Sequence, residues 1–271
     1  MERTQERAQE YEIADGVLRC TVQDLTGYYA DSPARVLALF VAAAAKDCAV
    51  EADTYMAAMA AADAAAGLPA GVLRSAAQSI LLSARPQAMG PLLAAGVFES
   101  VGLGRDVPCL DTLAKTPCTM ETRWWRFLRL MRADYNAVCE KMGFSELFAR
   151  TLAGMDRLAA MPILPKTMEE LKMALSEEPD LDYGAFARAM EVEDPRWAGQ
   201  AAMFDKLYRS GAPYRFDQLA ISAGQLAVLG IRDQKAAWVV RKLLDAVIKT
   251  PELNSYPPLE MMARTLAQQY K

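Results

Sequence analysis

The chain has 271 residues, with 30 basic and 34 acidic side chains and a net charge of −4 at pH 7, a balance that argues against indiscriminate nucleic-acid binding driven by bulk charge. It contains no histidine, which excludes a histidine-ligated zinc, a His-Asp phosphohydrolase centre and any Ser-His-Asp or Cys-His nucleophile. The five cysteines (Cys20, Cys48, Cys109, Cys118 and Cys139) form no Cys-x-x-Cys pair and read as reduced cytoplasmic thiols, and the longest apolar run, Val36 to Ala45, is too short for a bilayer and is followed by Lys46-Asp47.

Alanine, leucine and methionine dominate and strand-type alternation is nearly absent, so the fold class expected is all-α. The exception is Tyr11 to Val22, which suits a short hairpin around Asp15-Gly16. The first helix is expected to start with Ser32 as N-cap and Pro33 at the first helical position, where a missing N–H costs nothing. Its buried face is read as Val36, Leu37, Phe40, Val41 and Ala44. An alanine-rich helix over 53–66 is closed by Gly67-Leu68-Pro69, and helices follow at 72–83, 86–95 and 120–142.

The last of these carries Arg123, Arg126, Arg129 and Arg132 beside Trp124 and Trp125. Three-residue spacing winds the arginines around the helix, where they either track a bent phosphate backbone or form a solvated face with partners such as Glu121 and Asp134. Pro162 and Pro165 bracket a break, and Glu177 to Asp182 forms an acidic linker. Asp180-Leu181-Asp182 is the only Asp-x-Asp in the chain; lacking a Gly-rich turn before it, it reads as a solvated loop with a helix cap, not a metal site.

The segment from Phe216 to Asn254 is the most explicit. Ser222 with Gln225 forms a capping-box pair, Gly230 supplies a left-handed stop, and Asp233 is placed to cap a helix running to Lys249. Ala236, Val240, Leu243, Leu244 and Val247 fall on one face of that helix; Trp238, Arg241, Lys242, Asp245 and Lys249 fall opposite. Trp238 either stacks on a base while its basic neighbours hold phosphates, or packs on an adjoining helix. From Pro213 to Lys249, six basic residues, including Arg232, face three acidic ones, so the segment is locally positive.

Several motifs carry a resemblance. Leu219-Ala220-Ile221-Ser222-x-x-Gln225-Leu226-x-x-Leu229-Gly230-Ile231, continuing through Leu243-Leu244-x-x-Val247 and Pro251-Glu252-Leu253-Asn254, resembles the tail motif of bacterial CCA-adding tRNA nucleotidyltransferases and their poly(A) polymerase relatives. Arg232-Asp233-Gln234 stands where the family has a Pro-Gly turn. Tyr29-Ala30-Asp31-Ser32-Pro33-Ala34-Arg35-Val36-Leu37 resembles the neck segment Phe-Ala-Glu-Asp-x-x-Arg-x-Leu, whose polar side chains template the incoming CTP or ATP. The resemblance thereby assigns nucleotide binding to Asp31 and Arg35, with Ser32 replacing an aspartate and Ala38 and Val41 at two further arginine positions. Gly71 to Ser83 keeps the hydrophobic frame of the next motif, with Gly71, Val72 and Ala76 at its polar positions. Leu92-Leu93-x-x-Gly96-Val97-Phe98 matches a helix ending.

The resemblance implies a multi-helix neck, body and tail: a hairpin region at 1–28, a neck-like domain at 29–105, a body-like domain at 106–182 and a tail-like domain at 183–271. It implies tRNA as partner, with the acceptor and elbow gripped by shape and backbone contacts. The family's catalytic head, with its Gly-rich turn and Asp-x-Asp pair for two Mg²⁺ ions, has no counterpart upstream of Tyr28. The expectation is therefore a non-catalytic, cytoplasmic tRNA-binding portion. Mg²⁺ and CTP or ATP belong to a head supplied in cis or in trans. The alternative is a degenerate homologue serving as a helical interaction or structural protein. The RNA-contacting residues expected are Arg232, Trp238, Arg241, Lys242 and Lys249.

Overall fold

The computed structural model describes residues 10–178 and 181–270. The chain divides into two compact units, Met1–Asp156 and Arg157–Lys271, and among the described residues it is mostly helical with one small sheet, as its composition predicts.

The first unit begins with the expected hairpin. Strands β1 (Tyr11–Ala14) and β2 (Val17–Cys20) pair antiparallel across Asp15 and Gly16, whose φ values of 51° and 74° suit a two-residue turn. A two-residue strand, β3 (Ala49–Val50), pairs parallel with β2; nothing in its sequence signals it. Helix α1 (Leu25–Asp31) was not expected: Asp24 caps it by accepting from the Gly27 amide at 2.9 Å. Its presence changes the start of α2 (Ala34–Ala45). Only Ser32-Pro33 separates the two helices, the Ser32 side chain makes no cap bond, and its carbonyl accepts from the Arg35 amide at 2.9 Å instead. The buried face of α2 holds Val36, Leu37, Phe40 and Ala44 as expected, together with Leu39 and Ala43, while Val41 is half-buried.

The helix expected over 53–66 is two, α3 (Ala52–Ala60) and α4 (Ala62–Ala65), divided at Ala61. Helices α5 (Ala70–Leu81) and α6 (Met89–Ala94) follow, and Gly96, at φ 77°, closes the latter before the buried Val97 and Phe98. After α7 (Asp111–Ala114), the helix expected over 120–142 divides into α8 (Met120–Leu130) and α9 (Tyr135–Met142). The break has a local cause. Asp134 turns its carboxylate back to accept from the Asn136 and Ala137 amides, starting a new helix, and Arg132 takes φ 51°. Asp134 is thus a cap and not an ion-pair partner for the arginines. Helix α10 (Glu146–Ala159) follows.

The arginines of α8 correct the sequence reading most sharply. Arg123 and Arg126 are 4% and 5% exposed, so neither a solvated face nor a phosphate track holds for them. Arg123 donates from Nε to the Thr116 carbonyl at 2.9 Å and from Nη1 to the Leu81 carbonyl at 2.9 Å. The carbonyls in the last turn of a helix have no partner within it, and the guanidinium fills that need for α5. Burial lowers the pKa of Arg123 and brings that of Arg126 down to about 10, with the charge of Arg129 adding to the latter. Arg129 pairs with Asp156 at 3.3 Å, and Arg132 is exposed.

The second unit contains α11 (Met168–Glu177), α12 (Tyr183–Glu191), α13 (Gln200–Ser210), α14 (Ala223–Val228), α15 (Asp233–Lys249) and α16 (Tyr256–Gln269). Thr167 and Glu170 build a reciprocal capping box at α11. Asp182 caps α12, accepting from the Ala185 amide at 3.0 Å; Asp180 of the Asp-x-Asp lies outside the described residues. Tyr183, Phe186 and Trp197 pack together where α12 meets α13. A second core lies under α15, where Val239, Leu243, Leu244, Val247 and Ile248 pack with Leu226 of α14 and Leu259 of α16. Each fully buried leucine here contributes roughly 1.5–3 kcal/mol relative to exposure.

Candidate nucleic-acid interface

At the junction of α1 and α2, Asp31 ends α1 and is exposed, and Arg35 lies in the first turn of α2. Arg35 turns back on its own unit. Its Nη1 donates to the Tyr28 carbonyl at 2.6 Å, and its guanidinium sits 4.1 Å from the centre of the Tyr28 ring. The Tyr28 hydroxyl donates to Glu10 Oε2 at 2.7 Å. Burial, and then that bond, hold the phenol well above its ordinary pKa. No hydrogen bond or ion pair joins Asp31 to Arg35. The two residues therefore share a helix junction without pairing with one another.

The α15 surface is assembled differently. The Ser222–Gln225 capping box is present in full, with Ser222 Oγ accepting from the Gln225 amide at 3.3 Å and Gln225 Oε1 accepting from the Ser222 amide at 2.8 Å. Gly230 takes φ 78°. The backbone then differs from expectation. Asp233 does not cap α15; it is the first helical residue, at φ 53°, and Arg232 takes the N-cap position in extended conformation with no side-chain cap bond. Just before this turn, Ile231 is buried in the core of the unit.

On α15, Lys235, Lys242 and Lys249 recur every seven residues. Seven residues span nearly two turns, so the three share one stripe, ~10.5 Å apart and ~21 Å in total. Lys242 and Lys249 are exposed, Lys235 is half-buried, and the exposed Arg232 lies just before the helix. Among the described residues, no carboxylate forms an ion pair with these four, although Asp233 opens the helix between Arg232 and Lys235. Asp217 pairs with Arg215 at 3.1 Å and Asp245 with Arg241 at 3.3 Å. The stripe is visible in the sequence as the heptad spacing of three lysines, yet Lys235 was not singled out there.

Arg241 does not belong to the stripe. It pairs with Glu177, the last residue of α11, and its Nη1 lies 3.5 Å from the Ser176 carbonyl. It thus serves as a cation at a helix C-terminus, where the macrodipole favours it. Trp238 is placed between the two sequence readings. It is partly buried against the core of α14–α16, with its ring 5.6 Å from that of Tyr270, yet part of it remains exposed beside Lys242, whose Nζ is 6.0 Å from the ring centre. Tyr270 carries no local signal in the sequence; only the packing of α16 on α15 brings it there.

Among the described residues, no cluster of three or more His, Cys, Asp or Glu side chains is placed to hold a metal ion, and no helix is long and apolar enough to cross a membrane.

No family model matches the sequence, and no curated protein matches it. Solved structures do. The crystal structure of the Bacillus stearothermophilus CCA-adding enzyme in complex with CTP superimposes with a TM-score of 0.61 at 16% identity, over 94% of this chain and 67% of that one. At that identity the likeness is one of fold: this chain is folded like a large part of a CCA-adding enzyme.

Proposed function

We propose that this chain is the tRNA-binding neck, body and tail portion of a CCA-adding-type nucleotidyltransferase, and that it is not catalytic by itself. In this reading Arg232, Lys235, Lys242 and Lys249 hold successive backbone phosphates along α15, with Trp238 at their edge. Nucleotidyl transfer, with its Mg²⁺ and its CTP or ATP, belongs to a catalytic head in cis or in trans. The observation that carries the reading is the stripe of cations without acidic partners on a fold like that of a CCA-adding enzyme. In a chain of net charge −4, these four cations make no ion pair among the described residues and outnumber Asp233 and Asp245 on the helix, a local excess suited to a polyanion. The five free cysteines are in keeping with a cytoplasmic setting.

Two observations favour a second reading, a homologue that keeps the helical frame as an interaction or structural protein. Arg35 is satisfied within its own unit, and Gly71 and Ala76 stand where the resembling family has acids. Titration of labelled tRNA into the purified chain separates the two. The first reading expects salt-sensitive binding with Kd of about 1–100 μM at moderate salt and no extension of the tRNA by the chain alone with CTP, ATP and Mg²⁺. No binding at low salt would favour the second.

A further inference from the structure

We propose that Trp238 and Tyr270 form a stacking platform for one unpaired nucleobase, so that the α15 surface selects RNA carrying a loop or single-stranded base over uninterrupted duplex. The inference rests on the RNA-binding reading above and names the class of RNA it takes.

Of the four tryptophans, Trp124, Trp125 and Trp197 are fully buried; Trp238 alone keeps part of its ring at the surface. Core packing covers part of the Trp238 indole and leaves the rest beside the cationic stripe. Tyr270 lies against it, ring centres 5.6 Å apart at 57°, and the core under α15 holds its other contacts. The ring is therefore held in place while the residue stays partly exposed. Its remaining neighbour is Lys242, 6.0 Å from the ring centre. That is the outer limit of a cation–π contact, made by an exposed and flexible side chain that moves aside at little cost.

The spacing completes the site. Lys235 is three residues before Trp238 and Lys242 four after it, so both ammonium groups flank the indole on the helix surface. A base laid on the ring leaves its own backbone phosphates beside these lysines. Helical RNA keeps its base faces stacked inside, whereas loops and single strands can splay a base out onto an aromatic side chain. Such stacking tolerates any base, because each has a π-face. The platform thus selects for unpairedness and not for sequence.

The test uses the full chain with two RNA probes of equal length, a blunt duplex and a hairpin with an unpaired loop, read by fluorescence anisotropy and by intrinsic tryptophan emission. The hairpin is expected to bind about tenfold more tightly than the duplex and to quench the emission of Trp238, the one tryptophan within reach. Trp238→Ala should remove that preference by weakening the hairpin about tenfold while leaving the duplex unchanged. Trp238→Phe, which keeps an aromatic face and the fold, should retain most of the preference but lose the quench. Tyr270→Ala should weaken the hairpin and spare the duplex. Equal binding of both probes, lost with the lysines but indifferent to Trp238→Ala and Trp238→Phe, would overturn the platform and leave the RNA-binding reading intact. No binding of either probe at low salt would overturn both.

Discussion

Arg241 and Glu177 join α15 to the C-terminal end of α11. The same guanidinium meets Asp245 at 3.3 Å, an ion pair whose geometry falls short of a hydrogen bond. This makes Arg241 a tie between helices. Arg241→Ala should lower stability by about 1–2 kcal/mol, because it strips a helix-end carbonyl and a partly buried carboxylate of their cation. Glu177 is 63% exposed, so Glu177→Gln should cost under about 0.5 kcal/mol. Urea unfolding of the two variants checks the asymmetry; equal costs would mean that the exposed ion pair, not the helix end, is what Arg241 serves.

Arg123 makes a stronger case. With Arg123→Ala, the Thr116 and Leu81 carbonyls lose a buried charged donor and a cavity opens between α8 and the end of α5. The expected cost is about 3–5 kcal/mol. Arg123→Lys should recover little, because one ammonium group cannot reproduce the fork that reaches both carbonyls. Thermal unfolding of both variants provides the measurement.

Stability should be flat with pH around neutrality and fall on either side. With no histidine, no side chain of ordinary pKa titrates between about pH 5 and 8. On the alkaline side, burial raises Cys139 from 9.0 to about 11. Burial, aided by Asp156, raises Tyr135 from 10.0 to about 12. These groups ionise first in the unfolded chain, so the stability they contribute is complete below pH 9 and lost as pH rises through 9–12. On the acid side, Glu99, Asp194 and Glu260 are held below their ordinary values by bonds from Arg105, Arg196 and Arg264, and Glu170 by the Lys166 and Thr167 amides. Their contribution is present above pH 4.5 and lost as pH falls through the depressed values. Unfolding free energies measured from pH 3 to 11 should trace a plateau with two falling limbs; a step near pH 6.5 would contradict this.

Cysteine reactivity should follow burial. Cys109 and Cys118 are exposed, whereas Cys20, Cys48 and Cys139 are buried. Brief alkylation of the native chain at pH 8 should add two labels and alkylation in denaturant five, counted by mass spectrometry.

How far the sequence could be read depended on where each signal lay. The capping box at Ser222, the stop at Gly230 and the hairpin at Asp15-Gly16 are local devices, each written within a few residues, and the structure contains all three. Strand β3 escaped because its cause lies in a neighbouring strand, whereas α1 and the division between α8 and α9 rest on local aspartate caps that carry no strong flanking signal. Asp24 and Asp134 each cap the helix that follows them within three residues, with no capping-box partner to mark them in the sequence, and β3 is a strand only because β2 lies beside it. The arginines of α8 misled because of tertiary packing, as with β3, since burial of Arg123 is set by the distant end of α5. At the candidate interface, the lysine spacing was legible, while the commitment of Arg241 to α11 and the contact of Tyr270 with Trp238 required tertiary packing.

The central claim is that the α15 stripe holds RNA by its phosphates. The most direct test is the salt dependence of tRNA binding by the wild-type chain and by a Lys235→Ala, Lys242→Ala, Lys249→Ala variant that keeps Arg241 and the fold. The account predicts that log K falls linearly with log salt for the wild type, and that the slope is shallower by about two to three in the variant, close to one per lysine removed. An unchanged slope and affinity in a folded variant would contradict it.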